Sequence, residues 1–109
     1  MKNIEHIGIA VHDIEASNKL FAKIFGKTPY KSEIVESEGV QTSFFQIGKQ
    51  KIELVSATNK ESPISKYLSS NKEGVHHIAF NVEDIEKEMI RLKKEGILLL
   101  NDNPKQGAD

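Results

Sequence analysis

The stretch at residues 6–15, His-Ile-Gly-Ile-Ala-Val-His-Asp-Ile-Glu, returns at residues 77–86 as His-Ile-Ala-Phe-Asn-Val-Glu-Asp-Ile-Glu. Six of the ten positions are identical in the two copies. A repeat of this kind indicates a duplicated folding unit. Each copy opens with a histidine, so the duplication places the same potential metal ligand at equivalent points of both units.

The elements around each copy follow the same order. Ile7, Ile9 and Val11 alternate with smaller or polar residues, which predicts a strand, and Asp13 is a plausible N-cap for the helix that follows. Three further strands complete the first unit. The second unit repeats the strand and the helix, with Asp84 as the cap and Gly96 at the end. The predicted strands are residues 4–11, 28–34, 40–47, 51–57, 75–82 and 97–100, and a short connecting helix begins at Ser62 and Pro63.

This order predicts an α+β fold built from paired β-α-β-β-β modules in one domain, residues 1–109. The first module covers about 1–58, the connecting helix about 61–71 and a partial second module about 74–109. The second module is expected to lack its last strands, and residues 101–109 are expected to form a loop.

Composition excludes several classes of protein. The 109 residues contain no cysteine, so disulfides, thiolate metal sites and a cysteine nucleophile are excluded. Fifteen basic and sixteen acidic residues give a net charge of -1, which offers no general attraction to nucleic acid or to an anionic membrane. The sequence has no run of about 20 apolar residues and no signal-peptide pattern, so a cytoplasmic protein is expected.

Strand alternation predicts the direction of three potential ligands. His6 lies on the face opposite Ile7 and Ile9, next to the small Gly8, and His77 occupies the equivalent place in the second unit. Glu53 lies on that same face of its own strand. A carboxylate inside an apolar strand is costly unless something compensates its charge, and a cation would do so. A set of two histidines and one glutamate suits zinc, cobalt, nickel, manganese or iron(II).

Other side chains that could take part in binding or catalysis are interpreted as structural residues. His76 is expected to point to the opposite face from His77 and to act as a packing residue, and His12 is expected to be solvated at a strand-to-helix turn. Of the adjacent pair Phe44 and Phe45, one ring must face the same side as His6.

The chain resembles the vicinal oxygen chelate superfamily and, within it, the methylmalonyl-CoA epimerase family. The resemblance extends from residue 4 to the end. It rests on His-Ile-Gly-Ile-Ala-Val at 6–11, Glu-Gly-Val at 38–40, Lys-Ile-Glu-Leu at 51–54, Glu-Ser-Pro-Ile-Ser-Lys-Tyr-Leu at 61–68, Gly-Val-His-His-Ile-Ala-Phe at 74–80 and Asp-Asn-Pro-Lys-Gln-Gly-Ala at 102–108. The first block is general to the superfamily, whereas 61–68 and 74–80 together are fairly specific to the epimerases.

The resemblance implies a cupped mixed sheet around one divalent metal ion, namely cobalt, zinc, nickel or manganese. His6, Glu53 and His77 match three family ligands. The fourth is a glutamate on the last strand of the second module, which is absent here and is also one of the two acid/base groups. The other family base falls at Thr42, which cannot accept a proton from carbon, so the catalytic pair is unassigned. Thr42 and Phe44 are candidate substrate contacts.

The implied function is metal-dependent interconversion of the stereoisomers of methylmalonyl-CoA through an enolate, by a homodimer that takes an acyl-CoA substrate. Without the fourth ligand, the 109-residue form is expected to bind metal weakly and to epimerise poorly. Two alternatives remain: a glyoxalase-type isomerase that acts on a thiol adduct, and a non-catalytic small-molecule-binding protein of the same fold. The Glu53 carboxylate, which lies on the same face as the two histidines, argues against the non-catalytic binding protein.

Overall fold

The computed structural model describes residues 1–104 of the chain, and three helices and five strands lie within them. A short 3-10 turn, Glu36–Glu38, precedes the third strand. The bounds are β1 Asn3–Ala10, α1 Ile14–Phe25, β2 Lys31–Val35, β3 Val40–Ile47, β4 Gln50–Ala57, α2 Pro63–Ser70, β5 Gly74–Asn81 and α3 Ile85–Lys94. Residues 105–109, which include most of the block at 102–108 and of the expected terminal loop, lie outside the described residues.

The five strands form one open sheet in the order β2-β3-β4-β1-β5. β1 runs parallel to β4, and the other neighbouring pairs are antiparallel. The sheet is therefore mixed, and the predicted α+β fold class is confirmed. The division into modules at about residues 58 and 74 stays a prediction. None of the helices within residues 1–104 is long and apolar enough to cross a membrane.

Equivalent caps begin the helices of the two repeats. The side chain of Asp13 accepts a hydrogen bond from the backbone N–H of Ala16, and that of Asp84 accepts one from Lys87. Each carboxylate satisfies a donor that the first helical turn leaves without a partner. The duplicated Asp-Ile-Glu therefore has the same structural role in both units.

The main core lies between α1 and one face of the sheet. Val11, Ile14, Phe45 and Leu54 are buried there, and side chains of α1 pack against them. Because successive side chains of a strand alternate between faces, filling this face with apolar residues leaves the residues between them on the other. We call that second face the cup face; it carries His6, Glu53, Phe44 and Thr42.

The prediction of a strand at residues 97–100 is wrong. These residues are not extended in a sheet, and Leu98 and Leu100 are 87% and 94% exposed. In the first unit the strand after the helix, β2, pairs with β3 and not with β1. Residues 97–100 occupy the β2 position of the second unit, and the described residues provide no equivalent of β3 beside them.

The strand predicted at 28–34 begins only at Lys31. Pro29 has no backbone N–H to contribute to a ladder, so it delays the start of the strand. The other strand boundaries lie within one residue of the prediction.

The two capped helices differ in how they pack, which predicts a difference in local stability. α1 buries Ile14 and packs Phe21 and Phe25 against the core, whereas α3 has no buried residue. Backbone amides of α3 should therefore exchange with deuterium at least about tenfold faster than those of α1. Hydrogen exchange followed by NMR measures both helices in one sample. Equal protection would show that α3 is held by contacts other than those described.

Candidate metal centre

Three side chains from three adjacent strands converge on the cup face. His6 lies on β1, Glu53 on β4 and His77 on β5, and β1 is the middle strand of the three. The Nε2 atom of His6 lies 3.1 Å from the Nε2 atom of His77 and 3.3 Å from Oε1 of Glu53. The distance between Nε2 of His77 and Oε1 of Glu53 is 3.0 Å. The three atoms therefore form a nearly equilateral triangle.

Gly8 creates the space in which this triangle forms. In the ladders on its two sides, Gly8 pairs with Glu53 of β4 and with His77 of β5. A Cβ atom placed on Gly8 would lie 2.0 Å from Cε1 of His77 and 2.4 Å from both of its ring nitrogens. The imidazole therefore occupies the volume that any other residue at position 8 would fill.

Glu53 is the electrostatic centre of the group. It is only 7% exposed. Burial by itself would raise the pKa of Glu53, but hydrogen bonds and charge from His6 and His77 outweigh it and lower the pKa to about 2. The carboxylate is therefore ionised, and the same contact with Glu53 raises the pKa of His6 against the effect of burial. The site favours positive charge beside Glu53.

Hydrogen bonding fixes which ring nitrogen of His6 faces the triangle. Its Nδ1 atom lies 2.5 Å from Oε1 of Glu5. An ionised carboxylate only accepts hydrogen bonds, so Nδ1 of His6 carries the proton. In the neutral ring, Nε2 then presents a lone pair to the oxygen of Glu53. Two lone pairs that face each other need a shared cation, either a proton or a metal ion.

The donor set fits a divalent metal ion. Histidine nitrogen and carboxylate oxygen bind such ions at about 2.0–2.2 Å. Two ligand atoms at right angles around an ion, each about 2.1 Å from it, lie about 3 Å apart. The separations of 3.0–3.3 Å in the triangle match this spacing. A further point in favour is that His6 donates its other ring N–H to a carboxylate, as metal-bound histidines usually do.

The two candidate substrate contacts lie on the same face as the triangle. The ring of Phe44 meets that of His6 edge-on, with 6.4 Å between the centroids, while Phe45 lies in the core. Thr42 is buried, and its hydroxyl group donates to the backbone oxygen of Glu33 at 3.5 Å. The role of Thr42 and Phe44 in binding substrate stays a prediction.

The orientation predicted for His76 is wrong. Its Nδ1 atom lies 2.9 Å from Nδ1 of His77, and its ring packs edge-on against that of Tyr67. Burial, together with the charge of His77, lowers the pKa of His76. His12 has an exposed side chain, as expected.

Sequence reasoning therefore missed two neighbours of the triangle, Glu5 and His76. One signal was available, because each residue immediately precedes the histidine that opens a repeat. Strict alternation places them on the other face, and only a break in the strand register brings them to the ligand rings.

Comparison with known proteins places this geometry in a family. Residues 5–109 match the sequence profile of the glyoxalase/bleomycin resistance protein/dioxygenase superfamily. The chain belongs to this superfamily. The resemblance to the vicinal oxygen chelate superfamily is confirmed by this match, and the likeness to its epimerases is confirmed by relatives that are named methylmalonyl-CoA epimerase.

Several relatives are epimerases of acyl-CoA compounds. The chain is 35% identical over 107 residues to the ethylmalonyl-CoA/methylmalonyl-CoA epimerase of Cereibacter sphaeroides, across 96% of this chain and 80% of that protein. It is 33% identical over 106 residues to the mitochondrial methylmalonyl-CoA epimerase of Homo sapiens. That match covers 96% of this chain but only 60% of the human protein.

A solved structure shows the same fold. A variant of the methylmalonyl-CoA epimerase of Streptomyces coelicolor, in complex with 2-nitronate-propionyl-CoA, superposes with a TM-score of 0.93 at 32% identity. The superposition covers 99% of this chain and 81% of that one.

The close contact at Gly8 yields a prediction with a built-in control. Gly8→Ala should displace the His77 ring, destabilise the fold by about 1–3 kcal/mol through overpacking and weaken zinc binding at least about tenfold. In a His77→Ala background the same alanine should cost little stability, because the clash is removed. Urea denaturation of the four proteins gives the coupling energy. A coupling energy near zero would contradict the contact.

Two of the three candidate ligands, Glu53 and His6, should differ in how much metal affinity is lost on substitution. Glu53→Gln keeps an oxygen at its place in the triangle, whereas His6→Ala removes one corner altogether. Zinc or cobalt should therefore bind more weakly to His6→Ala than to Glu53→Gln, and His12→Ala should bind like the wild type. Isothermal titration of the metal-free proteins measures the order. Equal losses for the first two variants would refute this ranking.

Proposed function

We propose that this protein is a metal-dependent epimerase that interconverts the stereoisomers of methylmalonyl-CoA, with His6, Glu53 and His77 as metal ligands. The observation that carries the proposal is the convergence of two imidazole nitrogens and one carboxylate oxygen over Gly8, all within 4.8 Å of one another. The similarity to acyl-CoA epimerases then supports the choice of substrate.

A divalent ion held there would supply fixed positive charge for the negative charge that develops on the thioester oxygen as the α-proton leaves. The donor set suits cobalt, zinc, nickel or manganese alike. The chain's own contribution is to hold the three ligand atoms in place before substrate arrives, so little reorganisation is needed during the reaction.

The proposed reaction breaks a carbon–hydrogen bond and forms a new one on the opposite face of the same carbon. It therefore needs groups that accept and donate a proton. Thr42 stands where the family places one of them, and its hydroxyl group is committed to the backbone oxygen of Glu33. Thr42 accordingly serves the cup face as a packing and contact residue in this proposal.

The remaining expectations belong to the same proposal. An acyl-CoA is the substrate, and a homodimer is the expected assembly. β5 is one of the two edge strands of the described sheet, and Ile78 and Phe80 on it are about half exposed. A partly apolar sheet edge of this kind favours association with another chain. The cytoplasmic location also stays a prediction.

Proton exchange at the substrate carbon tests the proposal. Methylmalonyl-CoA in deuterated water should lose its C2 proton faster when the protein and cobalt are both present than with cobalt alone. His6→Ala should reduce this enhancement by about a hundredfold, the effect typical of losing charge stabilisation in a transition state. The rate is followed by proton NMR.

A thiol adduct of methylglyoxal serves as the control substrate, because a glyoxalase-type isomerase would convert it. Conversion of this adduct without exchange at methylmalonyl-CoA would overturn the proposal in favour of that alternative. Exchange that is unchanged in His6→Ala would remove the metal centre from the mechanism.

A further inference from the structure

Each of the two candidate metal ligands on β1 and β5 has a second ring nitrogen that points away from Glu53. The Nδ1 atom of His6 meets Oε1 of Glu5 at 2.5 Å, and the Nδ1 atom of His77 meets Nδ1 of His76 at 2.9 Å. In both repeats the partner is thus the residue immediately before the ligand. Adjacent residues of a regular strand point to opposite faces, so these contacts need an explanation.

A shift in the ladder between β1 and β5 explains the first contact. Ile4 pairs with Phe80 and His6 pairs with Ala79, so Glu5 is an extra residue on β1. Such an extra residue is a β-bulge, which re-aims side chains at the point where it is inserted. Glu5 consequently reaches the cup face, where its other oxygen lies 2.8 Å from Nζ of Lys51.

A second shift explains the contact in the other repeat. Gly8 pairs with His77 and Ile9 pairs with Val75, so His76 is an extra residue on β5. The bulge brings the ring of His76 beside that of His77. Nδ1 of His77 can donate its proton to Nδ1 of His76, which leaves the lone pair of His77 on Nε2, the atom that faces Glu53.

We propose that Glu5 and His76 are positioning residues, each held by a β-bulge against Nδ1 of the adjacent histidine so that Nε2 is the nitrogen offered to the metal. The inference rests on the metal-binding function proposed above and deepens it. Partners of this kind fix the tautomer and the orientation of a ligand ring, and their loss typically weakens metal binding about 10–100-fold.

The tautomer of each ring is the readout that separates positioning from a merely structural role. In the zinc-bound protein, ¹⁵N NMR should show Nε2 of His6 and of His77 bound to the metal and Nδ1 of both rings protonated. Glu5→Ala should free the His6 ring to turn, so that in part of the molecules it binds zinc through Nδ1 and carries its proton on Nε2, while His77 is unchanged. His76→Ala should do the reverse. Glu5→Gln keeps an acceptor oxygen and should preserve the wild-type tautomer.

Zinc titration of the full chain provides the second readout. Glu5→Ala and His76→Ala should each bind zinc about 10–100-fold more weakly than the wild type. Glu5→Gln should recover most of that loss. His12→Ala is the matched control, since it removes a histidine that touches none of these groups, and its affinity should equal that of the wild type. Thermal unfolding confirms that each variant is folded.

The outcomes distinguish this inference from the proposed function. If His6→Ala abolishes zinc binding while Glu5→Ala and His76→Ala bind as tightly as the wild type, the metal centre stands and the positioning role is wrong. If the wild type binds none of zinc, cobalt, nickel and manganese, the proposed function is wrong and the positioning role falls with it. If the wild type binds zinc but both rings stay fully protonated on Nδ1 in the two alanine variants, the positioning role alone is overturned.

Discussion

The site depends on the absence of a side chain at Gly8. This residue lies on the middle strand of three and pairs on one side with Glu53 and on the other with His77. Residues that pair across adjacent strands share a face, and here the glycine leaves that face open between them. The His77 ring fills the opening, and His6, two residues earlier on the same strand, closes the triangle. Gly8 is therefore needed for space and not for an unusual backbone conformation.

A buried carboxylate gives this opening its chemical character. Glu53 is buried in the middle of β4, between the apolar residues Ile52 and Leu54. A carboxylate there is tolerated only when its charge is compensated. In the metal-free protein this compensation comes from His6 and His77, whose Nε2 atoms lie 3.3 and 3.0 Å from Oε1 of Glu53. A divalent ion would bind all three atoms. The same feature that makes the site costly to fold therefore makes it receptive to a cation.

Much of this could be predicted from the sequence, because it follows from period-two alternation and from capping residues. Alternation predicts that His6, Glu53 and His77 share a face, and Asp13, Ser62 and Asp84 each begin a helix as expected. The prediction of a strand at residues 97–100 is wrong because their apolar pattern is typical of a strand but does not show whether a neighbouring strand is present to pair with it. The apolar pattern of a strand and its pairing are separate requirements.

The positions of Glu5 and His76 could not be predicted for a different reason. A β-bulge inserts one residue into the ladder, so alternation, which is the only directional signal in a strand sequence, reverses at that residue. Nothing in the residue types of Glu5 or His76 identifies them as inserted. Their location before the repeated histidines was visible, but its meaning required the register.

The two bulges also act together. One extra residue lies on β1 and one on β5, so the shift introduced at Glu5 is cancelled at His76. The ends of the ladder, from Asn3 paired with Asn81 to Ala10 paired with Gly74, keep one register, while the central segment is offset by one residue. That segment holds His6 and Gly8 opposite Ala79 and His77. Because each repeat contributes one bulge and one histidine, the complete site forms only where the two units pair, and the regular ends of the ladder hold the offset centre in place.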